Sequence, residues 1–188
     1  MHPRTEHLKQ QNALVLSHLG VHVRDIEKMA EFYEDVLDFT LTDRGDVGNL
    51  KIVFLSRDPN EHHQLALISG RAEGKHFNLL NQISFRVPDL KVLRAFYQRA
   101  LANEFISEMT AASHGNTISI YFRDPEGNRI EIFMDTPWHC AQPLRIQVDL
   151  SMGDDELLAS VEQIASQQPE FQPRAQWAEC MRRKMDYH

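Results

Sequence analysis

Cysteine is scarce in this chain: Cys140 and Cys180 are the only two among 188 residues, and neither belongs to a CxxC pair. A disulfide framework is therefore excluded, and both thiols read as reduced, structural residues. A basic block is missing too. The formal net charge is −7, which argues against nucleic acid or an anionic membrane as the main partner. No apolar run approaches the ~20 residues that cross a bilayer, and the opening Met1-His-Pro-Arg-Thr-Glu-His7 has no signal-peptide core. A cytoplasmic protein is the expectation. What remains, at 42% hydrophobic residues, suffices for one good core but not for two large domains.

Two stretches of the chain say nearly the same thing. His18-Leu-Gly-Val-His-Val-Arg-Asp-Ile26, running on to Phe32-Tyr33, returns as Gln82-Ile-Ser-Phe-Arg-Val-Pro-Asp-Leu90, running on to Phe96-Tyr97. Arg57-Asp-Pro returns as Arg123-Asp-Pro. A repeat this long is a supersecondary unit that cannot bury its apolar side alone, so the two copies should share one core.

Alternation along each strand separates an oily face from a polar one. Leu19, Val21 and Val23 oppose His18, Gly20 and His22; Ile83, Phe85 and Val87 oppose Gln82, Ser84 and Arg86. Ile118, Ile120 and Phe122 oppose Ser119 and Tyr121, while Ile130, Ile132 and Met134 oppose Arg129, Glu131 and Phe133. The polar faces are the candidate site. Helices to cover the oily faces follow the capping residues Asp25 and Asp89: Ile26, Met29, Ala30, Tyr33, Val36 and Leu37 have amphipathic spacing, matched by Leu90, Leu93, Tyr97, Ala100 and Leu101. Further strands follow, with turns expected at Asp43-Arg-Gly and Pro125-Glu-Gly-Asn. Asp43, Asp58 and Asp124 read as turn residues.

The chain thus reads as one α+β domain of two βαβββ units, at 14–71 and 79–136, with a tail at 137–188. The tail offers an extended segment at Leu144–Asp149 and two helices near Asp154–Ala165 and Arg174–Met185, with Gln168-Pro169 between them. It should pack over the sheet or against a partner subunit.

These motifs resemble the vicinal oxygen chelate superfamily, the glyoxalase, bleomycin resistance and extradiol dioxygenase proteins. The likeness runs from about residue 14 to 160. It rests on V-x-D-[IL]-x-x-[ML]-x-x-F-Y after each first strand, on His62-His63-Gln-Leu-Ala-Leu, and on Ser113-His114-Gly-Asn-Thr-Ile-Ser-Ile-Tyr121-Phe-Arg-Asp-Pro-Glu-Gly-Asn-Arg-Ile-Glu131. Within the superfamily it is most similar to small single-domain type I extradiol dioxygenases related to biphenyl-2,3-diol 1,2-dioxygenase. The resemblance implies a curved mixed sheet around a metal-centred cup. It implies an Fe(II) site at His18, Gln82 and Glu131, an acid–base His63, a substrate-binding His114 and a substrate-contacting Tyr121. The substrate would be a small aromatic diol, with dioxygen, and a homodimer is expected on the same likeness.

Gln82 departs from the pattern, which has a second histidine there. An amide oxygen is a harder and weaker donor than imidazole, so Fe(II) affinity should fall and preference drift towards Mn(II) or another divalent cation. Glyoxalases of the same superfamily use a glutamine at a corresponding place.

Each residue also has a plainer reading. His18 is a ligand or a hydrogen-bonded core histidine; Glu131 is functional because a lone carboxylate in an apolar strand is costly; Gln82 is a ligand or bonds a neighbour. His63 shares parity with Leu65, taken as the first copy's counterpart of Glu131, and so points into the cup, while His62 faces away. Tyr121 faces the cup or reaches water, and His114 lies on a Gly-containing loop where surface and substrate roles compete. His22 and Arg86 mark the rim, and His76 is a stand-in ligand. Two other function classes stay open beside the dioxygenase: a metal-dependent isomerase or lyase of the glyoxalase kind, and a non-catalytic protein that sequesters a small molecule or serves assembly.

Overall fold

A computed structural model of the chain describes residues 16–72 and 80–186; His76 lies outside them. The first unit runs β1 (Leu19–Val23), α1 (Ile26–Asp35), β2 (Thr40–Val47), β3 (Leu50–Ser56) and β4 (Leu65–Ser69). The second repeats it as β5 (Ile83–Val87), α2 (Leu90–Leu101), β6 (Ser107–Ser113), β7 (Thr117–Arg123) and β8 (Arg129–Asp135). The strand orders are the same, β1-β4-β3-β2 and β5-β8-β7-β6, with β1·β4 and β5·β8 parallel and the rest antiparallel. The fold is α+β, built from mixed sheets with helices against their apolar faces.

The helices start where their caps dictate. The Asp25 carboxylate accepts from the Lys28 amide at 3.1 Å, and Asp89 from the Val92 amide at 2.9 Å, each satisfying an orphan donor of the first turn. Ile26, Met29, Ala30 and Tyr33 of α1, and Leu90, Leu93 and Ala100 of α2, enter one cluster with Val21, Val23, Leu67, Ile120 and Ile132. The two units therefore share a core. Polar links join them as well: Arg99 reaches the Val36 carbonyl and Asp38, while Glu126 caps the Arg24 and Asp25 amides and pairs with Arg71.

The tail packs onto the second unit. β9 (Trp138–His139) pairs with β11 (Gln172–Pro173), β10 (Ile146–Gln147) adds an edge to β6, and α3 (Asp154–Ala165) buries Leu157, Val161 and Ala165. α4 (Arg174–Asp186) ends the described chain. No helix among the described residues is long and apolar enough to cross a membrane.

Three sequence expectations are corrected. Asp43-Arg-Gly45 is no turn: Asp43 pairs with Phe54 inside β2, next to a register shift, and the chain reverses at Gly48-Asn49, where Gly48 supplies a φ of 60°. Cys180 lies exposed on α4 rather than packed, although Cys140 is buried. The counterpart of Glu131 is Ala66, not Leu65. β8 pairs Glu131 with Ser84, and the equivalent pair in the first unit is Ala66 with Gly20. The loop after Arg57-Asp-Pro is one residue longer than the loop after Arg123-Asp-Pro, and a one-residue slip reverses strand facing. Leu65 accordingly belongs to the core.

Candidate active site

Glu131 is the hub of the polar face. Register places Ser84 on one neighbouring strand and Tyr121 on the other directly opposite it, so all three side chains share one side of the sheet. Gln82, two residues before Ser84, joins them. Gln82 Nε2 and Ser84 Oγ both donate to Glu131 Oε2 at 2.6 Å, and the Tyr121 hydroxyl donates to Oε1 at 2.5 Å. His114, on the loop between β6 and β7, extends the chain. Its Nε2 lies 2.7 Å from the Tyr121 hydroxyl, and its Nδ1 donates to the Leu144 carbonyl at 2.6 Å.

The His114 loop is fixed by the tail. Gly115 adopts a φ of 74° and leaves no room for a β-carbon, which would meet Cys140 Sγ at 2.5 Å. Thr136 Oγ1 and Trp138 Nε1 both donate to the Gly115 carbonyl, at 2.7 and 2.9 Å. Loop and tail thus interlock at van der Waals contact, and His114 inherits that rigidity.

Burial, and then the hydrogen bond and charge of Glu131, push the Tyr121 hydroxyl up to about 12 from the ordinary 10.0. It remains a neutral donor at any physiological pH. Around this group opens a cleft of about 440 Å³, lined by Gln82, His114, Tyr121, Arg129, Glu131 and Arg145 among others.

His18 and His63 form a second group, on the first unit. Their rings lie 4.4 Å apart, His63 also contacts Phe54 at 4.8 Å, and His62 Nδ1 is 2.9 Å from His63 Nδ1. Partial burial first, and then the neighbouring His18 and His62, lower the His63 pKa below 6.5, which favours the neutral imidazole. His18 lines a larger cleft of about 630 Å³ together with Leu19, Phe39, Leu65 and Phe85. Gln82 belongs to both clefts. The six residues singled out from sequence therefore fall into two groups, Gln82, His114, Tyr121 and Glu131 in one and His18 and His63 in the other, with Gln82 as the wall between.

The chemistry of the donors fits a divalent cation. Glu131 is 7% exposed and its hydrogen-bond partners are all neutral, a costly state for a carboxylate unless positive charge comes to it. A half-turn of the Gln82 amide exchanges its NH2 for an oxygen donor beside the carboxylate. One imidazole, one amide oxygen and one carboxylate make a harder set than two imidazoles and a carboxylate. Among the described residues, no three His, Cys, Asp or Glu side chains gather as a metal group, so an ion here would depend on Gln82.

Sequence reasoning overlooked two contributors to this cleft. Parity with Glu131 puts Arg129 on the polar face without indicating a role, and Arg145 carries no signal beyond its place in the tail. The guanidinium carbons lie 4.5 and 5.1 Å from the centroid of the Tyr121 ring. His22 and Arg86 are exposed, as rim residues should be.

Residues 15–132 match the family model of the glyoxalase/bleomycin resistance protein/dioxygenase superfamily. Biphenyl-2,3-diol 1,2-dioxygenase 3 of Rhodococcus globerulus is 30% identical over 125 residues, covering 64% of this chain and 63% of that protein. The chain thus matches less than two thirds of that relative's length. Two solved structures share the fold: a glyoxylase/bleomycin resistance protein/dioxygenase domain from Frankia sp. EAN1pec, with a TM-score of 0.56 and 20% identity over 64% of this chain and 96% of that one; and the fosfomycin resistance protein FosX from Mesorhizobium loti, with 0.50 and 23% over 64% and 90%.

Proposed function

The chain belongs to the glyoxalase/bleomycin resistance protein/dioxygenase superfamily, and from that premise we propose that it is a metal-dependent enzyme cleaving a catechol-type aromatic diol beside its hydroxyl pair, with dioxygen as co-substrate. The observation that carries the proposal is the Tyr121 hydroxyl, held between Glu131 and His114 in the wall of a cleft. The Rhodococcus relative, named as a biphenyl-2,3-diol dioxygenase, supports the choice of an aromatic diol.

His18, Gln82 and Glu131 would hold the cation, Fe(II) in this reading with Mn(II) as a substitute. It would supply Lewis acidity at two neighbouring substrate oxygens and, as Fe(II), the redox partner that dioxygen needs. Tyr121 and His114 orient the diol by hydrogen bonds to its oxygens, which narrows the approach of the reacting atoms. His63 accepts a proton, because its environment favours the neutral, basic imidazole. The cleft beside Gln82, with Phe39 and Phe85 in its walls, receives the rest of the ring system. A homodimer belongs to the same reading, and sedimentation analysis tests it.

The experiment is anaerobic loading with Fe(II), then addition of 2,3-dihydroxybiphenyl or catechol under air. Oxygen uptake with a rise in visible absorbance is expected; a flat trace across a range of catechols overturns the proposal. Gln82 favours one second reading, a cation-dependent isomerase or lyase. That activity would turn over substrate with no oxygen uptake.

A further inference from the structure

Arginines in this protein are mostly neutralised. Arg44, Arg71, Arg86, Arg94, Arg99, Arg123, Arg174, Arg182 and Arg183 each pair with a carboxylate. Four described arginines, Arg24, Arg57, Arg129 and Arg145, have no such partner; Arg57 lies over Phe96, while Arg129 and Arg145 converge on one site. Among the described residues neither takes part in an ion pair or a side-chain hydrogen bond, and their guanidinium groups lie at one aromatic ring, that of Tyr121. They reach it from separate parts of the chain, Arg129 from the first residue of β8 and Arg145 from the tail beside Leu144.

This arrangement is not self-sufficient. Two like charges at one ring repel, they share the attraction of a single aromatic ring, and their N–H donors are left to whatever enters the cleft. Tyr121 is no counter-ion for them, because its hydroxyl donates to Glu131. Glu131, the carboxylate of the same cleft, is already engaged by Gln82, Ser84 and Tyr121. In a chain of net charge −7, two uncompensated cations facing one small cleft make a local exception to the field of the whole molecule.

We propose that Arg129 and Arg145 form a cationic lip that binds an oxyanion carried by the substrate, a carboxylate or a phosphonate-like group, while the substrate's hydroxyl end lies against Tyr121 and His114. A planar guanidinium fork matches either oxyanion through paired N–H···O bonds. Both side chains line the 440 Å³ cleft and the adjoining one beyond Tyr121, so the acidic group sits at the junction of the two. The inference rests on reading the Tyr121–His114 cleft as the substrate site. It narrows the substrate to an acidic aromatic compound in place of a neutral one.

The test is calorimetric titration of the full chain with benzoate, phenylphosphonate and the neutral isostere benzamide, at low and high salt, with no metal, oxygen or turnover required. Benzoate or phenylphosphonate should bind at least tenfold more tightly than benzamide, and salt should weaken the anions alone. Whichever anion binds better identifies the acidic group. Arg145→Gln and Arg129→Gln should each weaken the anion about tenfold, with Arg145→Lys recovering part of the loss and thermal unfolding confirming that the variants fold. Equal binding of benzoate and benzamide, unchanged affinity in both glutamine variants, or no binding of either anion overturns the lip. Ring cleavage is scored separately: anion binding without oxygen uptake removes the dioxygenase and keeps the lip, whereas cleavage of catechols with no preference for acidic ones does the reverse.

Discussion

Leu144 holds His114. The carbonyl of this tail residue receives the Nδ1–H of a loop histidine thirty positions earlier, at 2.6 Å. A carbonyl only accepts, so the proton on Nδ1 is fixed, and Nε2 of a neutral His114 is left as an acceptor. The single hydrogen of the Tyr121 hydroxyl can then serve Glu131 or His114, but not both. Tyr121 is the relay between them.

Tyr121→Phe deletes that relay and leaves Glu131 Oε1 and His114 Nε2 without their partner. A loss of about 1–3 kcal/mol in urea denaturation at neutral pH is expected, the cost of leaving a buried polar group unsatisfied. The raised pKa of Tyr121 gives the pH dependence its sign. Because the folded protein holds this proton more tightly than the unfolded chain, the contribution is complete below pH 10.0 and is lost as pH rises through about 12. Near-ultraviolet titration of wild type minus variant should show the absent group ionising in that interval.

Gly115→Ala places a methyl where Cys140 Sγ, Leu144 Cδ2 and the Ala165 β-carbon already stand, at a backbone conformation that L side chains avoid. Strain and overpacking together should cost about 2–4 kcal/mol. Thermal unfolding measures it, and limited proteolysis should release the tail from 137 onwards faster than in wild type.

Glu126→Ala removes a buried carboxylate from two backbone amides and from Arg71, at the junction of the two units. A cost near 3 kcal/mol is expected, the low end for a broken buried pair because Arg71 keeps some contact with water. Since the units share one core, circular dichroism and tryptophan fluorescence should still report one coincident urea transition. Two separate transitions would show units that fold independently.

Gln82→His tests the ligand assignment in the absence of substrate. Imidazole in place of the amide should raise Fe(II) affinity at least tenfold, about 1.4 kcal/mol, measured by equilibrium dialysis and elemental analysis. Unchanged retention would remove Gln82 from the ligand set.

The frame was legible in the sequence because its signals are local. Caps at Asp25 and Asp89, helical spacing at Met29 and Leu93, and alternation at Ile130-Glu131-Ile132 each specify an element without reference to the rest of the fold. The meeting of Gln82, Tyr121 and Glu131 also followed from alternation. Parity failed for His63: with one more residue in the preceding loop, Ala66 rather than Leu65 occupies the equivalent of Glu131, yet His63 still reaches His18 because it precedes the strand and escapes its alternation. Asp43-Arg-Gly carries a turn signal yet lies in a strand, because a glycine inside a strand marks a bulge as readily as a reversal. Arg145 and the Leu144 carbonyl could not be anticipated, since neither periodicity nor composition says over which loop a tail folds back.

The register that sets Ser84, Tyr121 and Glu131 side by side sets Gly20, Phe54 and Ala66 side by side in the other unit. One half of the molecule is a blank casting of the other, with hydrogen, ring and methyl where its twin has hydroxyl, phenol and carboxylate. Gly20 has space for a side chain, its nearest neighbour being Ile68 Cδ1 at an ordinary 3.6 Å. Three exchanges, G20S, F54Y and A66E, would therefore stamp the same acidic centre onto the opposite wall, next to His18 in place of Gln82.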